Sequence, residues 1–280
     1  MTLDLSSLGF QTKPYVLEYD WKTVVLYALG IGATRRELDF VYEGRGPRVY
    51  PTFAVVAAYG PVTELFERTG CDMTRLVHGA QLLRLHRPIP AAARLETVGR
   101  VKGIYDMKKL AQVVLETRTT LGGEPCFDTE WQLLLLDAGG FGGERPPKTE
   151  IVRPPADRGP DFVLEMPSSP EQALLYRLSG DHNPLHADPE FAKVVGFEQG
   201  PILHGLCTFG YLARAVIQEL CAGDEKKLRA LAGQFRKPVW PGDSIRVQGH
   251  RVDGGRVVLE AFAGNRPDAV ISNSWAELAP

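Results

Sequence analysis

The 280-residue sequence has only four cysteines, at positions 71, 126, 207 and 221. None stands in a Cys-x-x-Cys pair, so neither a zinc knuckle nor a dithiol redox motif is indicated. Small buried hydrophobes in a reducing compartment are the expectation. No apolar run is long enough to cross a bilayer. An excess of charge is also missing. Lys and Arg total 32 against 34 Asp and Glu, a net charge of −2, which argues against nucleic acid as the main partner. The first residues carry Asp4 and no basic cluster before an apolar core, so a secretory signal is not expected. The final Glu-Leu-Ala-Pro is not a peroxisomal address. These absences predict a cytoplasmic protein with neither membrane nor nucleic acid as partner. Apolar residues at 44% and charged residues at 24% are ordinary globular usage, with room for one large or two ordinary domains.

What is present is concentrated in residues 175–186, Leu-Tyr-Arg-Leu-Ser-Gly-Asp-His-Asn-Pro-Leu-His. Asp181, Asn183 and His186 crowd into six positions. Pro184 lacks an N–H and prevents one continuous helix from carrying Asp181 and His186 together. Gly180 permits a sharp bend before them. A loop presenting a carboxylate and an imidazole to one point suits general acid–base chemistry on a water. Asp-x-Asn-Pro is equally a good structural turn, because Asx side chains bond nearby N–H groups and proline sets φ. A calcium loop fails, since His186 and Ala192 stand where Gly and Glu are required. A zinc-protease helix fails, since Asn183 replaces the needed Glu and Pro184 breaks the helix.

Residues 200–210 read Gly-Pro-Ile-Leu-His-Gly-Leu-Cys-Thr-Phe-Gly. Leu206, Phe209, Leu212, Ala213, Val216 and Ile217 repeat at helical spacing and predict a buried helix starting near His204 or Gly205. Its first N–H groups, with the positive end of the helix dipole behind them, could bind a developing oxyanion. The plainer alternative is that Gly205 only allows close packing.

Three pairs of segments echo one another in the same order. Leu26-Tyr27-Ala28-Leu29 matches Leu175-Tyr176-Arg177-Leu178, and Val77-His78-Gly79 matches Leu203-His204-Gly205. The stretch from His86 to Gly99 matches Arg236 to Gly249. Two copies of one unit follow. With Tyr27 laid on Tyr176, Gly32 falls at Asp181 and Glu37 at His186, so the first copy lacks the acid–base pair. The units divide at 1–143 and 161–280. Residues 144–160 hold Pro146, Pro147, Pro154, Pro155 and Pro160 and predict an extended linker. Leu110 to Thr119 and Cys126 to Leu136 read as strands turned by Gly122-Gly123. Ser244 to Val252 and Arg256 to Ala263 read as a second hairpin. Gln172 to Leu178, Pro189 to Val195 and Leu206 to Gln218 read as helical. Trp21, Trp131, Trp240 and Trp275 are assigned to the core, and His86 and His250 to strand surfaces.

Residues 176–186 match the signature Tyr-x-Leu-Ser-Gly-Asp-x-Asn-Pro-Leu-His at every fixed position. Residues 201–205 match Pro-Ile-x-His-Gly, and Arg236 to Asp243 match a third segment. The chain therefore resembles the hydratase 2 family, the MaoC-like (R)-specific enoyl-CoA hydratases. Further likeness at Leu26 to Ala33, Pro51-Thr52-Phe53, Val77-His78-Gly79 and Gly139 to Gly143 extends over nearly the whole chain. It points to the two-unit type found in the peroxisomal multifunctional enzyme.

The resemblance implies an α+β double hot-dog fold, in which a long antiparallel sheet wraps a central helix in each unit. It implies hydration of a trans-2-enoyl-CoA to the (3R)-3-hydroxyacyl-CoA, and the reverse dehydration. Asp181 and His186 would handle the water, Gly205 N–H the thioester oxygen, and Asn183 would brace the loop or bond the thioester region. His78, Gly79, Lys108, His182, Pro184, Leu185 and Phe235 are expected to bind substrate. No metal and no cofactor are expected, because hydration is redox-neutral and coenzyme A is part of the substrate. A homodimer is expected. Hydration or dehydration of a specialised acyl thioester, a non-catalytic acyl-CoA-binding module and a thioesterase remain open alternatives.

Overall fold

The computed structural model describes residues 3–72 and 74–279. The first unit runs β1 (Tyr15–Tyr19), α1 (Trp21–Gly30), α2 (Leu38–Val41), α3 (Ala54–Thr69), β2 (Leu76–Leu85), β3 (Ala93–Asp106), β4 (Leu110–Leu121) and β5 (Glu124–Leu136). The second repeats that plan with β6 (Phe162–Pro167), α4 (Gln172–Tyr176), α5 (Pro189–Val194), α6 (Gly205–Leu220), β7 (Leu228–Phe235), β8 (Ser244–Arg251), β9 (Arg256–Ala263) and β10 (Ile271–Leu278).

All ten strands form one sheet in the order β1-β3-β4-β5-β2-β7-β10-β9-β8-β6. Each unit contributes five strands in the same internal order, and the two halves meet where β2 pairs antiparallel with β7, from Ala80 opposite Gln234 to Arg84 opposite Ala230. The sheet wraps α3 in one half and α6 in the other, which is a double hot-dog.

The strands form where branched and apolar residues alternate. On β4, Ala111, Val113, Leu115, Thr117 and Thr119 are buried while Arg118 is exposed, as one covered sheet face requires. Gly122 and Gly123 join β4 to β5 at φ of +61° and +84°, the left-handed pair that a two-residue hairpin needs. Helix α6 is buried at every position from Leu206 to Ile217. It is covered all round because the sheet on one side and the first unit on the other leave no wet face, and its one buried charge, Arg214, is paired with Glu37.

Several local expectations change. Each unit opens with a short edge strand, β1 or β6, that the sequence did not announce. Both carry exposed apolar residues such as Val16 and Val163, because an edge strand is only partly covered. Helix α4 stops at Tyr176 and tightens into a 3-10 turn over Arg177–Ser179. His250 is buried rather than on the surface, whereas His86 is exposed and bonds Asp128 at 2.8 Å. Residues 144–160 contain no helix or strand. They are tied to the body through Glu144 O, which accepts from Asp106 N–H at 2.7 Å, and Val152 N–H, which donates to Asn273 Oδ1 at 2.6 Å.

Candidate active site

A cavity of about 410 Å³ lies at the junction of the two units. Its floor is the loop from Gly180 to His186. Gly180 has φ +120°, a conformation that a side chain would strain, and it turns the chain out of the 3-10 turn. Asn183 Oδ1 accepts from Leu185 N–H at 3.0 Å and caps a second 3-10 turn, Pro184–His186. Proline at the first position of that turn loses nothing, since its N–H would be unpaired there. The result places Asp181 and His186 side by side on the cavity wall.

Hydrogen bonds fix both groups. Asp181 Oδ1 accepts from the Tyr59 hydroxyl at 2.9 Å and from Asn183 N–H at 3.2 Å. His186 Nδ1 lies 2.8 Å from the Ile202 carbonyl. A carbonyl only accepts, so Nδ1 carries the proton and Nε2 presents a lone pair. His204 makes the same kind of bond, from Nε2 to the Asp181 carbonyl at 3.2 Å. Its ring stacks on His186 with centroids 3.6 Å apart and planes 26° apart.

Burial works against the charge on Asp181. The neighbouring His204 and His186, the Asn183 N–H and the Tyr59 hydroxyl outweigh it, and the carboxyl is held below its usual range. Burial drives the His186 imidazole below its ordinary value despite Asp181 nearby. Burial, with His186 beside it, pushes His204 down to about 3. Near neutral pH the site thus holds one carboxylate and two neutral imidazoles.

Donor atoms of Asp181, His186 and His204 fall within 4.8 Å of one another. A metal lies in the plane of each imidazole that it binds, about 2.0–2.1 Å from nitrogen. Two stacked, nearly parallel rings do not share such a point, so the arrangement fits acid–base chemistry better than a metal centre.

Above the pair, α6 begins at Gly205 with no side-chain cap on its first turn, so unpaired N–H groups and the positive helix end face the cavity. The apolar wall comes from both units: Phe66, Leu76, Leu133 and Leu136 from the first, Phe191, Val195, Phe197 and Ile202 from the second. Arg75, Arg236 and Lys237 supply positive charge to the lining.

Of the anticipated residues, Asp181, Asn183, Leu185, His186, Gly205, His78 and Phe235 line the cavity. Four others do not. His182 and Pro184 are exposed on the outer side of the loop. Lys108 sits in the β3–β4 turn at φ +72°, with its N–H on Asp106. Gly79 marks the irregularity in β2–β5 pairing between His78 and Ala80. An added Cβ there would meet Leu134 at 3.1 Å. Gly79 therefore permits a bulge, which re-aims the neighbouring side chain. That turns His78 inward, stacked on Trp131 at 5.2 Å and donating to Ala80 O at 3.1 Å.

Sequence reasoning passed over Tyr59, His204 as a side chain, and Trp131, which lines the cavity as well as filling the core. The one available signal for Tyr59 was its place after Ala57 and Ala58 on a helix whose neighbouring inward residues are small or aliphatic.

The corresponding place in the first unit is filled. A Cβ on Gly32, the counterpart of Asp181, would lie 2.1 Å from the Tyr211 hydroxyl. Glu37, the counterpart of His186, is paired with Arg214 at 2.7 Å.

The chain matches the MFE-2 hydratase 2 N-terminal domain over residues 17–136 and the MaoC like domain over residues 152–272. It is 40% identical over 271 residues to 3-hydroxyacyl-thioester dehydratase Y of Mycobacterium tuberculosis, covering 92% of this chain and 91% of that one. It is 37% identical over 275 residues to enoyl-CoA hydratase 2, peroxisomal, of Arabidopsis thaliana, covering 91% and 88%. The crystal structure of a MaoC-like dehydratase from Phytophthora capsici superposes with a TM-score of 0.87 at 27% identity, over 99% of this chain and 98% of that one. On these grounds, and with the signature residues gathered at one cavity, the chain belongs to the MaoC-like hydratase 2 family.

Proposed function

We propose that this chain is an enoyl-CoA hydratase that adds water to a trans-2-enoyl-CoA and yields the (3R)-3-hydroxyacyl-CoA, reversibly. The observation that carries the reading is the convergence of Asp181 and His186 on one cavity beside the uncapped start of α6. It is supported by relatives named as enoyl-CoA hydratase and hydroxyacyl-thioester dehydratase.

Asp181 Oδ2 and His186 Nε2 both act as acceptors near neutral pH, so a water between them donates both hydrogens and turns a lone pair outward. The water oxygen bonds to C3, the C2–C3 π pair shifts toward C1, and negative charge grows on the thioester oxygen. The Gly205 N–H stabilises that oxygen where the charge develops. The proton taken by the Asp181–His186 pair is delivered to C2 as the enolate collapses. Water has then been added across the double bond with nothing oxidised or reduced, so no cofactor is needed. Asn183 braces the loop, while His78, Leu185 and Phe235 contact the acyl thioester. Arg236 and Lys237 meet the phosphates of coenzyme A, in place of Lys108.

One active site per chain, in the second unit, follows from the filled counterpart in the first. Among the described residues no helix is long and apolar enough to cross a membrane. The four cysteines are buried and free, which suits the cytoplasm, and the protein is proposed to act there as a homodimer. Size-exclusion chromatography with light scattering tests the dimer, and localisation of the tagged protein tests the compartment.

The deciding experiment follows loss of enoyl-thioester absorbance with crotonyl-CoA, a longer enoyl-CoA and a carrier-protein thioester. Product is resolved with (R)- and (S)-specific dehydrogenases, for the wild type beside Asp181→Asn and His186→Ala. Wild-type turnover to the (3R) product that collapses in both variants is expected. Turnover surviving both substitutions refutes the assignment.

A further inference from the structure

Tyr59 belongs to the first unit, yet its hydroxyl donates to the carboxylate of the second at 2.9 Å across 122 positions of sequence. Oδ1 also takes the Asn183 N–H at 3.2 Å, so two donors occupy one oxygen. Among the described residues Oδ2 accepts no hydrogen bond. A Cβ on Gly180 would lie 3.9 Å from the Tyr59 ring, an ordinary contact, so ring and loop meet without crowding. Trp131 flanks the ring at 6.4 Å. The phenol is thus held in place independently of the loop that it contacts.

We propose that Tyr59 is a positioning residue for the acid–base pair, fixing the Asp181 carboxylate so that Oδ2 is reserved for the water. The inference rests on the hydratase reading of Asp181 and His186 given above. A donor on one carboxylate oxygen restricts rotation of the group and favours its ionised form over the neutral acid. The first unit, which has no acid–base pair of its own, thereby takes part in the chemistry of the second. The groups facing Asp181 are His186 on the same loop, His204 at the start of α6, Tyr59 on α3, His78 on β2 and Tyr176 on α4, with Arg177 acting on His204. At neutral pH the imidazoles and phenols are uncharged, so Tyr59 and the Asn183 N–H are the direct donors to the ionised side chain.

The test is Tyr59→Phe, which removes one hydroxyl and keeps the ring. Asp181 is followed by ¹³C carboxyl titration, assigned with Asp181→Asn, and by the acid limb of kcat/KM. Loss of the donor is expected to move the Asp181 midpoint and the acid limb to higher pH. Near neutral pH, kcat should fall about tenfold while KM stays within about twofold, as expected for an interaction that serves the transition state. Replacing Tyr59 with 3-fluorotyrosine strengthens the donor at nearly constant shape and should move both midpoints to lower pH. If neither substitution moves the Asp181 midpoint, the proposal is overturned, whatever happens to kcat, because a merely structural tyrosine would lower activity without that shift. The carboxyl titration requires no turnover. It therefore decides the role of Tyr59 even if the wild type proves inactive on enoyl-CoA, which would refute the hydratase reading instead.

Discussion

Arg214 of α6 grips Glu37 of the first unit through two hydrogen bonds, Nε to Oε1 at 2.8 Å and Nη2 to Oε2 at 2.7 Å. Oε1 also accepts from the Tyr50 hydroxyl and from Gln218 Nε2, each at 2.7 Å. Glu37 stands where the second unit has His186, so the degenerate site has been converted into a sealed ion pair between the units. Burial raises the Glu37 carboxyl, but Arg214, the Tyr50 hydroxyl and the Thr34 N–H together outweigh it, and the net direction is down.

The pair has side chains only 3% and 10% exposed, so removing one partner strands a buried charge. Arg214→Met is expected to cost about 3–5 kcal/mol of stability in urea denaturation. The double variant with Glu37→Gln should recover part of that loss. A single variant as stable as the wild type would show that water reaches the pair.

Asp181→Asn keeps the size of the side chain and removes its charge. The value of kcat is expected to fall about 10²–10⁴-fold, the usual worth of a positioned acid–base group, with KM little changed. A large rise in KM at constant kcat would make Asp181 a binding residue instead.

Gly205 offers a cleaner dissection of the oxyanion donor. His204, which precedes it, has φ −57° and ψ 135°, a conformation suited to the residue before proline. Proline at the first position of a helix is tolerated. Gly205→Pro therefore removes the N–H and spares the helix, and kcat should drop about 10²–10³-fold. Gly205→Ala is the control. Its Cβ would meet Phe235 at 3.3 Å, but its N–H remains, so substrate binding should suffer more than kcat. Equal losses in kcat for the two variants would assign the effect to Phe235.

Three imidazoles lining the cavity set the response to acid. His78 is pushed down to about 4 and His204 to about 3, in both cases chiefly by burial. A group with a depressed folded value contributes its stability above the unfolded value of 6.5. That contribution is lost as pH falls through the folded value. Stability in urea should therefore hold above pH 6.5 and decline toward about 3 to 4, and His78→Phe should flatten the decline. His186 and Asp181 are both lowered, so kcat/KM should persist through the ordinary imidazole range and fall only below it, as the pair takes up protons. An acid limb centred above 6.5 would contradict this, since 6.5 is the unperturbed imidazole value.

Features with local causes were legible in the chain before it was folded. Pro184 after Asn183 and a glycine at 180 make the loop from Asp181 to His186. The spacing of Leu206, Phe209, Leu212 and Ile217 makes a buried helix beginning at Gly205. Gly122-Gly123 turns a hairpin, and repeated segments declare two units. Each signal lies within a few residues of the structure that it specifies. The remaining features arise from packing between distant segments. Tyr59 meets Asp181 across 122 positions, and Arg214 meets Glu37 across 177. His204 stacks on His186, and the cavity exists only where the two units join. The bulge at Gly79, not a ligand contact, accounts for that glycine, and burial of the loop's inner face is what leaves His182 and Pro184 outside. A periodic pattern records which side of an element is covered, not by what. Contacts between elements far apart in the chain depend on the packing of both units together, and no local stretch of residues encodes them.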